Sequence, residues 1–257
     1  MILAQFEDFL LNGKRCKDLE MRRLLMGKRA VAEVLKTDSK RLRVVYTHKR
    51  GEDPLLQALY KVRIRVVVVP KSKLSSLVQS ESHQGFVAEV FERTFPTLNE
   101  FLSQIRRKSV VVMCDSIMDP HNFGAILRAC ECFGVDLLIF SKNRNVPLTP
   151  VVSKASVGGS ELVPLISVSN LANVLRRFQD VGYFVVATEN NAQSLYTFEF
   201  PEKTLLILGS ENRGIQPLLS KKSDFRVTIP MHGRVDSLNV SQAAAIFLSH
   251  LRGSACD

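Results

Sequence analysis

The stretch SVVVMCDSIMDPHNFGAILRACECFGVDLLIF, Ser109 to Phe140, decides the fold. It opens with an apolar run, Val110 to Cys114, with the length and branching of a strand buried on both faces. A turn-rich segment containing Asp119 and Pro120 follows. NFGAILRACECFG then carries apolar residues at helical spacing and ends on Gly134, and VDLLIF is a second apolar strand. Strand, helix and strand in such quick succession make a βαβ unit, whose strands run parallel because the helix carries the chain back.

Downstream the alternation continues. NLANVLRRFQDVG reads as a helix, YFVVATE, TLLILG and FRVTIP as strands, and NVSQAAAIFLSHL as a closing helix. Residues 109–257 are therefore expected to form an α/β domain with a mostly parallel sheet covered on both faces. Upstream, GKRAVAEVLK places Ala30, Val31, Val34 and Leu35 on one helical face, and LRVVYTH, IRVVVVP and GFVAEVF read as strands. Residues 21–92 make a second, small α/β unit, residues 93–108 a linker, and residues 1–20 an extension with no assignable role.

The charge is one-sided. Residues 1–108 hold 22 Lys and Arg against 12 Asp and Glu, whereas the rest of the chain holds 13 of each, so all of the net +10 sits in the first part. That segregation suits a polyanion-binding surface, since each neutralised phosphate releases condensed counterions. Arg41, Arg43, Lys61, Arg63 and Arg65 are the candidate RNA contacts. With few aromatics among them, phosphate and shape recognition fit better than base stacking.

Other classes lose support. No apolar run approaches the ~20 residues that span a bilayer, so no membrane partner is expected. Glu7 and Asp8 interrupt the apolar N-terminus, which does not read as a secretory signal. Five cysteines without a C-x-x-C pair argue for reduced thiols and a cytoplasmic location. His48, His83, His121, His232 and His250 are scattered, so no metal site is expected.

Ligands of parallel sheets bind where loops leave the carboxyl ends of strands. Three such loops are rich in Gly, Pro and small polar residues: DSIMDPHNFGAILRA, GSENRGI and PMHGRVDSLNVS. Together they suggest one composite site. In the first, Asn122 opens the helix, and Arg128 is either a surface arginine or a phosphate-binding fork. In the second, Glu211 either bonds local amides or orients site groups. In the third, Asp236, Ser237 and Asn239 crowd a helix start, where the simplest role is capping.

DPHNFGAILRAC, LILGSENRGI and IPMHGRVDSLNVSQAAAI resemble, in order, the three motifs of the SpoU (TrmH-like) RNA 2′-O-ribose methyltransferases of the SPOUT superfamily. GKRAVAEVL and HQGFVAEV resemble the N-terminal substrate-binding domain of the subgroup acting on ribosomal RNA. The resemblance implies a C-terminal SPOUT domain with a trefoil knot, preceded by an L30e-like RNA-binding domain. It also implies a homodimer that uses S-adenosylmethionine. Gly209, Ile229 and Leu238 would contact that cofactor, and Asn122, Arg128, Glu211, Ser237 and Asn239 would form the catalytic cluster. Arg128 would order the RNA phosphate beside the reacting ribose; a guanidinium holds its proton too tightly to be an unassisted base. Asn212 and Arg213 depart from the smaller or acidic residues common at those positions. The expected substrate is a guanosine of large-subunit (23S) rRNA. A tRNA 2′-O-methyltransferase and a non-enzymatic RNA-binding or ribosome-assembly protein are the alternatives.

Overall fold

The computed structural model describes residues 22–104, 107–210 and 213–253. Its N-terminal unit contains β1 (Arg22–Met26), α1 (Lys28–Asp38), β2 (Leu42–Thr47), α2 (Pro54–Lys61), β3 (Val66–Val68), α3 (Lys71–Val78) and β4 (Phe86–Phe91). The strands lie in the order β1-β4-β2-β3; β4 runs antiparallel to both neighbours, and β3 runs parallel to β2. Local signals set the start of α2: Asp53 caps it by accepting from the Leu55 amide at 2.9 Å, and Pro54 occupies the first turn. Leu25, Val31, Val34, Leu59 and Phe86 fill the core. β1 and α3 were not legible in the sequence. RRLLM does not alternate, and α3 buries only Leu74 and Val78.

The segment read as a linker packs on the second unit. Within it, α4 (Leu98–Ser103) starts with a Thr97–Glu100 capping box and packs Leu98, Phe101 and Leu102 on the second unit. That unit continues with β5 (Ser109–Asp115), α5 (Pro120–Cys132), β6 (Leu137–Ser141), α6 (Pro150–Ala155), α7 (Gly159–Leu162), β7 (Leu165–Val168) and α8 (Leu171–Asp180). It ends with β8 (Phe184–Ser194), β9 (Lys203–Gly209), α9 (Pro217–Lys222), β10 (Phe225–Thr228) and α10 (Val240–Gly253). The strand order is β10-β8-β9-β5-β6-β7, parallel at every pairing. Every residue of β5 is buried, and alternate side chains serve two cores. Val110, Val112 and Cys114 face the core shared with α5 and α10, while Val111 and Met113 face the core shared with α8. Gly124 lets α5 meet α6, because a Cβ there would lie 2.4 Å from Ala155 Cβ.

The two units are joined by a buried ion cluster. The Glu161 carboxylate on α7 accepts from Arg23 of β1 and, at 2.9 Å, from Arg41. Arg93 donates to the Glu161 and Leu162 carbonyls at 2.8 and 2.6 Å, satisfying the end of the same short helix. The Met26 amide also donates to Ser153 Oγ at 3.2 Å. Among the described residues, no helix is long and apolar enough to cross a membrane.

Candidate active site

Because the sheet is wholly parallel, the carboxyl ends of β5, β8, β9 and β10 share one edge, and two adjoining cavities open there. The first, of about 410 Å³, is lined by Gly209, Ile229, Leu238 and Ser237. Val240, Ala243 and Phe247 give it an apolar wall. It brings together all three expected cofactor residues and one expected catalytic residue. β8 contributes a feature missed in the sequence. Between Ala187 and Gln193 its register against β10 jumps, and the released residues Thr188, Glu189 and Asn190 line the cavity. The signal was present as a polar run, ENNAQ, inside an apolar strand.

Gly209 sits where β9 turns back on itself. A Cβ there would lie 2.3 Å from the Gly214 carbonyl carbon and 2.4 Å from the Ile215 nitrogen, so only glycine permits the approach. Ser210 and Gly214 exchange backbone hydrogen bonds across the loop, at 3.2 and 2.8 Å. Glu211 and Asn212 lie outside the described residues.

The second cavity, of about 760 Å³, shares Ser210, Arg213, Gly214 and Val240 with the first. Asn122 lines it, and Asn239 Nδ2 donates to Asn122 Oδ1 at 2.9 Å. Asn239 is also the cap of α10: its Oδ1 accepts from the Ser241 amide at 2.9 Å and from Ser241 Oγ at 2.6 Å. The third loop is thus both a helix cap and a tie to the first loop. Asn122 does not open α5, however. The helix begins at Pro120, and Asp119 Oδ1 accepts from the Asn122 amide at 2.8 Å. Ser237 is exposed and donates to Asp236 Oδ1 at 3.1 Å.

Asp115 was not expected here. It is fully buried at the tip of β5, where it accepts from the Gln216 amide at 2.7 Å, from the Gln216 side chain, and from Ser116 Oγ at 3.0 Å. It therefore anchors the loop after β9 to the strand that carries the first motif. The neighbouring Cys114 thiol is pushed up by burial and then by the Asp115 charge, which makes it an inert packing group.

Arg128 is exposed on α5 and is not among the residues lining either cavity, whereas Asn122, on the same helix, lines the second. Of the expected RNA contacts, Arg41 needs correction. It is buried, paired with Glu161, and donates to the Phe91 carbonyl at 3.1 Å, so it joins the units rather than facing solvent. Arg43 pairs with Glu89 at 3.0 Å. Lys61, which ends α2, and Arg63 and Arg65, which lie between α2 and β3, are exposed. Arg63 adopts φ 59°, where glycine usually ends a helix. Among the described residues, no group of three or more His, Cys, Asp or Glu could hold a metal ion.

Comparison with known proteins accounts for this layout. The SpoU rRNA methylase family profile matches residues 109–249, and the profile for RNA 2′-O ribose methyltransferase substrate binding matches residues 24–96. A TrmH-family tRNA/rRNA methyltransferase of Staphylococcus aureus is 37% identical over 88% of this chain and 93% of its own. A TrmH-family RNA methyltransferase from Porphyromonas gingivalis is 28% identical, with a TM-score of 0.73 over 91% of this chain and 90% of that one. An AdoMet-bound rRNA methyltransferase from Sinorhizobium meliloti shares the fold, with a TM-score of 0.75 at 21% identity over 92% of this chain and 88% of that one. With the site loops on one sheet edge and both profiles in register, the chain belongs to the SpoU family of RNA methyltransferases and carries the family's substrate-binding unit.

Proposed function

We propose that this chain methylates the 2′-hydroxyl of a ribose in structured RNA, a guanosine of large-subunit (23S) rRNA, with S-adenosylmethionine as donor. The observation that carries the reading is the pair of adjoining cavities. One holds Gly209, Ile229 and Leu238, the other holds Asn122, and Asn239 ties the motifs together where they meet. The first cavity fits the donor chemically. Its apolar wall suits an adenine ring, and Glu189 and Asn190 offer polar partners for a ribose or amino-acid tail. Its volume falls within the usual range for a small-molecule site.

The donor, when bound, supplies a sulfonium methyl already activated toward nucleophiles. The protein's task is then to orient a weak hydroxyl nucleophile and ease removal of its proton. Asn122 and Asn239 present neutral amides that can hold the ribose without stripping charge from water. Ser237 extends the polar edge of the first cavity, and Gly209 lets backbone groups approach the ligand. Glu211 and Arg128 remain proposed members of the cluster, the latter supplied across a homodimer. Exposed Val235 in the site loop, at 72% the most exposed large apolar side chain described, is consistent with such a partner. The trefoil knot that the family resemblance implies belongs to the same proposal.

The substrate-binding unit and the excess positive charge of the first part support a structured RNA as substrate; ribosomal RNA is our reading, and tRNA is the alternative that the test decides. The buried thiols Cys114 and Cys130 fit a reducing cytoplasm. The test supplies methyl-labelled S-adenosylmethionine with unmodified 23S and tRNA transcripts, then hydrolyses the product in alkali. Label in alkali-resistant dinucleotides from 23S RNA is expected. Label in tRNA alone would reassign the substrate, and tight RNA binding without transfer would overturn the enzymatic reading.

A further inference from the structure

The second cavity contains an arginine that the motifs do not account for. Arg144, on the loop after β6, lines it together with Asn122. Its guanidinium donates to Gln216 Oε1. Gln216 is itself fixed, since its backbone amide and side-chain amide both donate to the buried Asp115 carboxylate. A buried acid thus sets a glutamine, and the glutamine sets an arginine. Exposed arginines ordinarily sample many rotamers, whereas this one is held by its head group at the cavity wall. Its partner is a neutral amide, so its positive charge is not cancelled there, and further donors of the fork remain for a ligand.

The rim adds an apolar group. Met118, 65% exposed, stands in the loop between β5 and α5. A polarisable thioether at the edge of this cavity suits contact with an aromatic ring. We propose that this cavity seats the nucleotide whose ribose is methylated, with Arg144 gripping paired acceptors of that nucleotide and Met118 lying against its base. Asp115 and Gln216 are positioning residues that act through Arg144. The inference rests on the reading of the first cavity as the methyl-donor site. A ribose seated beside Asn122 then faces the donor across the shared wall of Ser210, Arg213, Gly214 and Val240. Two phosphoryl oxygens and the O6/N7 edge of guanine offer the same bidentate chemistry to an arginine fork.

The experiment measures steady-state methyl transfer into whichever transcript the wild-type protein methylates, together with S-adenosylmethionine affinity by calorimetry. Arg144→Ala is expected to raise KM for RNA by roughly 10- to 100-fold, the loss of a charge-assisted contact, with donor affinity within about twofold. Gln216→Ala is expected to raise KM less, and Arg144→Ala with Gln216→Ala to be no worse than Arg144→Ala alone. A merely structural glutamine would instead make the double variant worse, which would overturn its positioning role. Arg144→Lys separates the two acceptor sources. Near-normal KM with the salt slope unchanged, where loss of one phosphate contact would lower it by about 0.7–0.9, means phosphate, and a loss equal to that of alanine means a base edge. An active wild type with unchanged KM in Arg144→Ala overturns the proposal and leaves the methyltransferase reading standing. A wild type that transfers no methyl to any RNA overturns both.

Discussion

Removing the Glu161 carboxylate tests the junction between the two units. Its side chain is 0% exposed, and those of Arg23 and Arg41 are 12% and 10% exposed. Glu161→Ala leaves both guanidiniums nearly dehydrated without a counter-charge, at a cost of about 3–5 kcal/mol. Typical domains have only about 5–15 kcal/mol in total. For a chain of this length each kcal/mol shifts Tm by about 2–4 °C, so the expected fall is roughly 6–20 °C. Glu161→Gln keeps the shape and an acceptor and should cost about half as much. The assay is thermal and urea unfolding of the full chain near pH 7. A loss below about 1 kcal/mol for Glu161→Ala would refute the reasoning, because the arginines would then have found other partners.

The same site has a pH signature. Burial alone would raise the Glu161 carboxyl, but Arg23 and then Arg41 outweigh burial and hold it below its ordinary value of 4.5. A folded value below the unfolded one means that the unfolded chain binds the proton more readily. The stabilisation is therefore complete above about 4.5 and is lost as pH falls through the lowered folded value. Glu161→Gln should remove that component of acid unfolding, so wild type and variant should converge in stability at low pH.

Three further outcomes are expected. Asn239→Ala removes a helix cap worth about 1 kcal/mol and the bond to Asn122, so methyl transfer should vanish while RNA affinity stays within a few-fold; Asn239→Asp should keep the cap and still lose transfer. Gly209→Ala forces a Cβ against the Gly214 and Ile215 backbone, and calorimetry should show donor binding lost while RNA binding persists. Charge reversal of Arg63 with Arg65 should weaken RNA binding and lower the salt slope by at least about 1.4, the value for two single-strand phosphate contacts; superimposable binding curves across salt would remove that surface from RNA docking.

The βαβ core was legible because β5 and β6 are short apolar runs and α5 keeps its helical spacing. The site loops were legible because parallel sheets place their strand ends together. What escaped depends on partners distant in sequence. Arg41 stands beside Arg43 and looks like another surface cation. Only folding brings it to Glu161, 120 residues away, while Arg23 reaches the same carboxylate across 138 residues. Asp115 and Gln216 are separated by 101 residues, and neither belongs to a motif. β1 acquires its strand geometry from β4, to which Leu25 and Met26 are paired. The register jump that releases Thr188 to Ala192 exists only as a mismatch between two strands, a property that neither strand has alone.

The crowded polar loop before α10 shows why capping and site chemistry need not compete. A serine or aspartate could cap this helix as well as asparagine does. Neither offers an amide donor to a second partner. Asn239 uses its oxygen on Ser241 at the helix start, which turns its Nδ2 toward Asn122. The cap therefore fixes the orientation of the amide, and that orientation joins the start of α10 to the start of α5, where Asp119 caps the other helix. Two capped helix ends, each ordinary by itself, thereby hold the third loop against the first at the mouth of the second cavity. The demand for an acceptor on one side and a donor on the other selects asparagine.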